Sequence, residues 1–323
     1  MTVEDVAIKY EAASEQIEDE SESPQEFVGE LKGEVKHEPG SDSNHQVPGL
    51  PVGDESCTYL SPIPATITDG APCVLGVDEA GRGPVLGPMV YAAAYCLKSY
   101  KDELATQGFA DSKVLTAGAR EALLERMCDS SDLAGHIGWT TRTMSARDIS
   151  AGMLRAQQRG SSNLNEQAHD ATIALIRGVA AAGVNIAEIY VDTVGPPGTY
   201  QAKLARLFPH AQVTVAKKAD SLYPVVSAAS VAAKVTRDAA LATRADGAEW
   251  GSGYPSDPRT SRWLAGAVDP VFGWEPIVRF SWQTARDALT RGGAAAVDWP
   301  EEDTLASLRP RATVGWFGSA VDF

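Results

Sequence analysis

An unbroken apolar run, Cys73-Val74-Leu75-Gly76-Val77, leads directly into two adjacent carboxylates, Asp78 and Glu79, and then into the turn Gly81-Arg82-Gly83-Pro84. A short apolar run bounded by turn residues is the pattern of a strand buried on both faces. Any fold this chain adopts must therefore bring two acids to the end of a core strand. Val90 to Leu97 is a second apolar run containing Tyr91 and Tyr95, so two strands joined by a glycine-rich turn are expected. Ile137 to Met144 reads as a third strand.

Further along, the pattern becomes an alternation of strands and helices. Apolar residues recur at helical spacing from Asn165 to Ala182, with Gly183 as the stop. Ile189-Tyr190-Val191 is a buried strand ending at Asp192, Tyr200 to Leu207 a short helix, and Gln212 to Ala216 a strand running towards Asp220. Pro224 to Ala242 is a long alanine-rich helix with proline in its first turn. Asp111 or Ser112 is expected to cap a helix ending near Cys128, and two more helical segments fall at about 257–267 and 281–291. Strands in one block followed by strand–helix units imply an α/β fold with a mixed central sheet flanked by helices, plus a helical C-terminal extension. The segmentation is a structureless acidic stretch over 1–70, a folded body over 71–250, and a helical extension with a tail over 251–323.

Charge supports that division. Residues 1–70 hold 16 Asp/Glu against three Lys/Arg, a net of −13, whereas the other 253 residues hold 27 acids and 25 bases, a net of −2. The first stretch, rich in Glu, Ser, Pro and Gly, has too few apolar side chains to offset its ordering entropy. The body is near neutral, and local basic clusters there suffice for phosphate binding, because the field at a groove matters more than the total charge. Cys57, Cys73, Cys96 and Cys128 form no CxxC pair, which argues against structural zinc or a disulfide framework and suits a reducing compartment. No apolar stretch is long enough for a membrane span and no secretory leader is expected, so no membrane partner is expected either.

Four carboxylates stand out by placement: Asp78 and Glu79 at the end of one strand, Asp192 at the end of another, and Asp220 just beyond a third. Ligands gather beyond strand ends in open sheets. Acids brought together this way repel one another unless a cation neutralises them. Hard oxygen donors with few histidines favour Mg²⁺ or Mn²⁺ over Zn²⁺, and two such ions suit in-line attack of water on a phosphodiester. Each acid taken alone is more readily a helix cap or a turn residue; their joint placement favours the metal reading. The glycines invite a dinucleotide reading, but Gly81, Gly83 and Gly87 follow G-x-G-x-x-x-G, and Pro84 interrupts a helix start. Glycines beside a metal site instead allow backbone groups to approach a substrate closely. The five histidines form no close pair, which weakens a mechanism built on one histidine as base and another as acid. A nucleic-acid-binding protein without activity is the other competitor, and the presence of all four acids argues against it. Trp250, Trp263, Trp274 and Trp282 read as packing aromatics.

The segment Val77-Asp78-Glu79-Ala80-Gly81-Arg82-Gly83-Pro84-Val85-Leu86-Gly87-Pro88 resembles the signature of the type 2 ribonucleases H. The resemblance continues through Asp111-Ser112-Lys113, Val191 to Gly195, Lys218 to Ser230, Gly251-Ser252-Gly253-Tyr254-Pro255 and Phe280-Ser281-Trp282, covering roughly 72–291. Thr193-Val194-Gly195, Phe272-Gly273 and Arg279 to Trp282 resemble the eukaryotic catalytic subunit more than single-chain bacterial enzymes. The segment Arg155–Ser162 is longer than in vertebrate members; Arg155 and Arg159 there are candidates for phosphate contact or for a plain solvated loop.

That resemblance implies a ribonuclease H-like fold and specific residue roles. Asp78, Glu79, Asp192 and Asp220 match the metal-binding and catalytic carboxylates, serving two divalent ions, Mg²⁺ or Mn²⁺. Gly81, Arg82 and Gly83 match the turn whose backbone senses the ribonucleotide 2′-hydroxyl. Tyr254 matches a tyrosine on the sugar at the RNA–DNA junction, Lys113 a lysine near substrate phosphates, and Asn163 and Asn165 polar residues touching the DNA strand. The implied reaction is endonucleolytic cleavage 5′ of ribonucleotides in RNA/DNA hybrids and of single ribonucleotides in duplex DNA, leaving 3′-hydroxyl and 5′-phosphate ends. The implied roles are ribonucleotide excision repair and RNA primer removal. The implied assembly is a heterotrimer with two non-catalytic subunits, docked through Ala296–Asp303 and Arg309–Phe317, and residing in the nucleus.

Overall fold

In the computed structural model, which describes residues 47–109, 115–129, 133–155, 160–193, 195–244 and 249–295, the apolar run at 73–77 forms the middle of a sheet. The strands are β1 (Cys57–Leu60), β2 (Pro72–Ala80), β3 (Met89–Leu97), β4 (Ile137–Met144), β5 (Asn185–Asp192) and β6 (Gln212–Ala216), in the order β1-β4-β3-β2-β5-β6. Strands β2, β3, β4 and β1 pair antiparallel; β5 and β6 run parallel to β2 and to each other. The helices are α1 (Lys101–Leu104), α2 (Ala117–Cys128), α3 (Ala146–Leu154), α4 (Leu164–Ala181), α5 (Pro197–Leu207), α6 (Ala219–Leu222), α7 (Pro224–Ala242), α8 (Pro258–Gly266) and α9 (Gln283–Arg291).

The two-residue alternation of β2 divides the core. Val74 and Ala80 pack with α2 and α7 on one face, whereas Cys73, Leu75 and Val77 pack with α4 and α5 on the other. Gly76 is where α7 rests directly on the sheet: a Cβ there would meet the Val225 carbonyl carbon and the Val226 nitrogen at 2.5 Å. A third, smaller core gathers Val85, Leu86, Trp250, Leu264, Trp274 and Val278 beneath α8 and α9. The extension is thus stitched to the glycine turn, with Val85 N donating to Gly253 O, Gly87 N to Ile277 O and Arg279 N to Val85 O, each at 2.8 Å. The tryptophans expected as packing residues do lie in or against this core. No helix among the described residues is long and apolar enough to cross a membrane.

The structure departs from the sequence expectations in several places, among them β1, α2 and α3. Strand β1 lies inside the stretch 1–70 read as structureless; it pairs with β4, and Tyr59 packs its ring against Trp139 at 4.9 Å, so long-range pairing overrides a weak local signal. Helix α2 starts after Thr116, whose hydroxyl caps it by accepting from Ala119 N at 3.2 Å. Asp111 and Ser112, the expected caps, lie outside the described residues, as does Lys113. Helix α3 was not foreseen; Ser145 caps it by accepting from Asp148 N at 3.1 Å.

Candidate active site

The parallel pairing of β2 with β5 sets Val77 opposite Val191, so Asp78 and Asp192 follow side by side at the ends of adjacent strands. Adjacent strands lie roughly 4.8 Å apart. Asp220 arrives by a sharp reversal after β6: Lys218 sits at φ 56°, the left-handed region, where a non-glycine residue carries a strain of about 1–3 kcal/mol. That bend starts α6, aims Ala219 N at Asp192 Oδ1 (2.7 Å) and buries Asp220 beside the strand ends. Glu79 adjoins Asp78 in sequence, and alternation turns it to the α4–α5 side while Asp78 faces α7.

Electrostatics tie the four acids into one cluster. Burial raises the Asp78 carboxyl well above the usual carboxylate range, the charges of Glu79 and Asp192 raise it further, and a hydrogen bond from Ser230 on α7 opposes them. Burial also pushes Glu79 up to about 7; Arg82 opposes the rise, and Asp192 and Asp220 add to it. The oxygens are oriented locally: Asp78 Oδ1 accepts from Glu79 N at 2.8 Å and Asp220 Oδ1 from Ser221 N at 3.1 Å. Among the described residues no three His, Cys, Asp or Glu side chains close into a ready-made cage. The acids are neighbours in one field, not a preformed chelate. Their chemistry fits hard divalent cations: oxygen donors with no histidine or thiol among them, whose anionic forms are mutually disfavoured until positive charge is supplied.

Beside the acids lies a cavity of about 280 Å³, lined by Glu79 and Asp192 together with Arg82, Asn165, His169 and Lys203. The Arg82 guanidinium reaches Asn165 Oδ1 and, at 3.5 Å, the Tyr91 hydroxyl. The His169 ring stacks on Tyr200 with centroids 3.9 Å apart. Burial, then Lys203 and Arg82, lower the His169 pKa and so favour its neutral form.

The glycine turn, which contributes Arg82 to this cavity, carries a second surface. Gly81 has φ 78°, and a Cβ there would strike the Arg237 side chain and sit 2.8 Å from Pro88 O. Gly83 is exposed, and Tyr254, 45% exposed, lies over it: a Cβ on Gly83 would be 3.3 Å from Tyr254 Cε1. Two turn motifs roughly 170 residues apart in the chain thus present one surface.

Of the expected site residues, the structure brings Asp78, Glu79, Asp192, Asp220, Arg82 and Asn165 together, while Gly81 and Gly83 flank Arg82 on the turn and Tyr254 lies against Gly83. Asn163 has a structural use: its Oδ1 accepts from Glu166 N and Glu166 Oε2 accepts from Asn163 N, both at 3.0 Å, in a capping box at the start of α4. His169, Tyr200 and Lys203 were not singled out in the sequence, where each looks like an ordinary helix residue. Arg279 also escaped individual notice; its sequence signal is a lone charge inside the apolar stretch Ile277-Val278-Arg279-Phe280.

Known proteins resemble this chain over most of its length. The family model described as "Ribonuclease HII" matches residues 75–285. The chain is 55% identical over 254 residues to a ribonuclease H2 subunit of Neurospora crassa, covering 77% of this chain and 80% of that protein. It is 47% identical over 322 residues to the protein of the same name from Schizosaccharomyces pombe, covering 93% and 97%. Among solved structures, the ribonuclease H2 of Pyrococcus horikoshii OT3 superposes with a TM-score of 0.57 at 34% identity, covering 68% of this chain and 98% of that one.

Proposed function

Since the chain belongs to the ribonuclease HII family and is a ribonuclease H, we propose that it hydrolyses the phosphodiester on the 5′ side of ribonucleotides, both in RNA/DNA hybrids and at single ribonucleotides embedded in duplex DNA. The observation that carries this reading is the β2–β5 register, which sets Asp78 beside Asp192 with Glu79 and Asp220 in the same electrostatic cluster. Asp78, Glu79, Asp192 and Asp220 would hold two divalent ions, Mg²⁺ or Mn²⁺. When bound, such ions supply an activated water and stabilise the charge on the departing 3′-oxygen.

The chain's own groups supply position and selectivity. Ser230 and the Glu79 amide hold Asp78 in orientation, and the Ala219 amide does so for Asp192. Arg82, Lys203 and Asn165 line the cavity beside the acids and offer donors to the substrate backbone. The Gly81–Gly83 turn reads the 2′-hydroxyl, the one group that distinguishes a ribose from its deoxyribose neighbours. Tyr254 lies on the turn with its ring half exposed, suited to stack on the sugar at the RNA–DNA junction. Residues 251–295 pack against the glycine turn, and Ala296–Asp303 and Arg309–Phe317, which lie outside the described residues, are proposed for partner docking.

Relatives named as subunits of ribonuclease H2 support a multi-chain enzyme. The proposed form is a heterotrimer with two non-catalytic partners, acting in the nucleus in ribonucleotide excision repair and primer removal. The test is incubation with duplex DNA carrying one ribonucleotide, with and without Mg²⁺. A nick on the 5′ side of the ribonucleotide, absent without the metal, is expected. Metal-independent cutting, or cutting of all-DNA duplex at the same rate, contradicts the reading.

A further inference from the structure

One buried side chain grips the glycine turn from beneath. Arg279 is fully buried, and its guanidinium donates to three backbone carbonyls: Nη2 to Gly81 O at 2.6 Å, Nη1 to Arg82 O at 2.9 Å and Nε to Gly87 O at 2.9 Å. Trp282, whose ring lies 4.8 Å from the Arg279 guanidinium carbon, adds a fourth bond, Nε1 to Gly83 O at 3.0 Å. Every carbonyl from Gly81 to Gly83 is therefore held by two side chains nearly 200 residues further along the chain. Burying a cation this deeply is costly. Burial, then the neighbouring Arg237, bring Arg279 down to about 9, so it stays protonated at neutral pH. No acid forms an ion pair with it among the described residues; its hydrogen-bond partners are peptide oxygens.

Peptide planarity gives this grip a consequence. In a trans peptide the N–H points opposite to the C=O, and the described chain has no cis bonds. Drawing the Gly81 and Arg82 carbonyls inward onto Arg279 turns the Arg82 and Gly83 N–H groups outward, to the side where Gly83 is exposed under Tyr254. Successive outward amides make a concave donor site for oxygen. Holding the Gly83 carbonyl on Trp282 fixes the far end of the same unit.

We propose that Arg279 and Trp282 are positioning residues that set ribose selectivity by clamping the Gly81–Gly83 carbonyls, so that two backbone amides are preorganised for the ribonucleotide. This rests on the reading of that turn as the ribose sensor. A guanidinium is needed because only its planar fork reaches three carbonyls at once; a lysine ammonium is a point donor on a flexible stem. Arg279→Lys keeps the charge and loses the fork. Trp282→Phe keeps an aromatic ring and removes the bond to Gly83 O.

The experiment uses the full-length chain in its assembled complex. Affinity is measured for duplex DNA with one ribonucleotide and for the same all-DNA duplex, with Ca²⁺ present to permit binding without cutting. Thermal unfolding is followed in parallel, and kcat and KM are measured in Mg²⁺. Arg279→Lys is expected to lower the ribonucleotide-over-DNA affinity ratio about tenfold, equivalent to about 1.4 kcal/mol, and to raise KM more than it lowers kcat. Trp282→Phe is expected to lower the ratio about threefold with its unfolding midpoint unchanged, and it carries the test by itself if Arg279→Lys does not fold. A wild-type ratio retained in the folded variants overturns the clamp. A wild-type protein with no preference for the ribonucleotide duplex overturns the sensor reading itself, and the clamp with it.

Discussion

Replacing Gly76 with alanine probes the contact that joins the acid-bearing strand to the helix behind it. The added methyl group would meet the Val225 carbonyl carbon and oxygen and the Val226 nitrogen at 2.5–2.6 Å, all backbone atoms at the start of α7. Ordinary carbon contacts need about 3.5–4.0 Å, so strand and helix must separate by about an ångström. Backbone cannot rotate away as a flexible side chain can, which puts the cost at the upper end of the range for overpacking, about 3 kcal/mol. For a folded body of this size, that corresponds to a fall in Tm of about 6–12 °C. The same displacement moves Ser230, on α7, away from Asp78, so nicking should fall even at temperatures where the protein stays folded. Differential scanning calorimetry and a nicking assay well below the transition measure the two effects. Gly178→Ala is the control: it lies on the exposed side of α4 with nothing within 4 Å of the new methyl group, and it should gain about 0.5–1 kcal/mol from better helix propensity. A Gly76→Ala protein with unchanged Tm and activity would show that α7 does not bear on β2 as described.

Asp78→Asn and Asp192→Asn should each abolish nicking while leaving duplex affinity within about threefold, as read by gel shift in Ca²⁺; full activity in either variant contradicts the metal assignment. Chelation by EDTA should stop cutting, and excess Mg²⁺ or Mn²⁺ should restore it; a rate unaffected by EDTA counts against divalent catalysis. Tyr254→Ala should depress cutting at single ribonucleotides more than in long hybrids, and an equal loss on both removes the junction role. Gly81→Ala places a methyl group against Arg237 and 2.8 Å from Pro88 O in a positive-φ position, so it should lose most activity and lower the Tm, and a variant as stable and active as wild type would refute the stated fit of the turn.

Much of this site was legible in the sequence because its signals are local and strong. Apolar runs ending in acids at 78 and 192 announced buried strands with polar ends, and glycines at 81, 83 and 87 announced a turn; β2, β5 and α7 form where the patterns place them. Strand β1 was missed because only partnership with β4 makes a strand of Cys57–Leu60, a relation sequence periodicity does not carry. The two uses of the asparagines were inseparable for a related reason. Asn163 and Asn165 are two residues apart on one segment, yet one caps α4 and the other meets Arg82 across the cavity. Arg279 shows the same limit: its partners are carbonyls 192–198 residues earlier, and carbonyls have no sequence signature.

The register between β2 and β5 also bears on when the protein becomes active. Asp78 and Asp192 are 114 positions apart, with a whole hairpin and two major helices between them. Pairing partners so far apart in sequence slows folding relative to a fold built from neighbouring segments. A growing polypeptide released from the ribosome up to β4 would own the first pair of acids and lack both Asp192 and Asp220. On the proposed role of the four acids, cutting waits until remote stretches have found each other, and a half-made copy should show none.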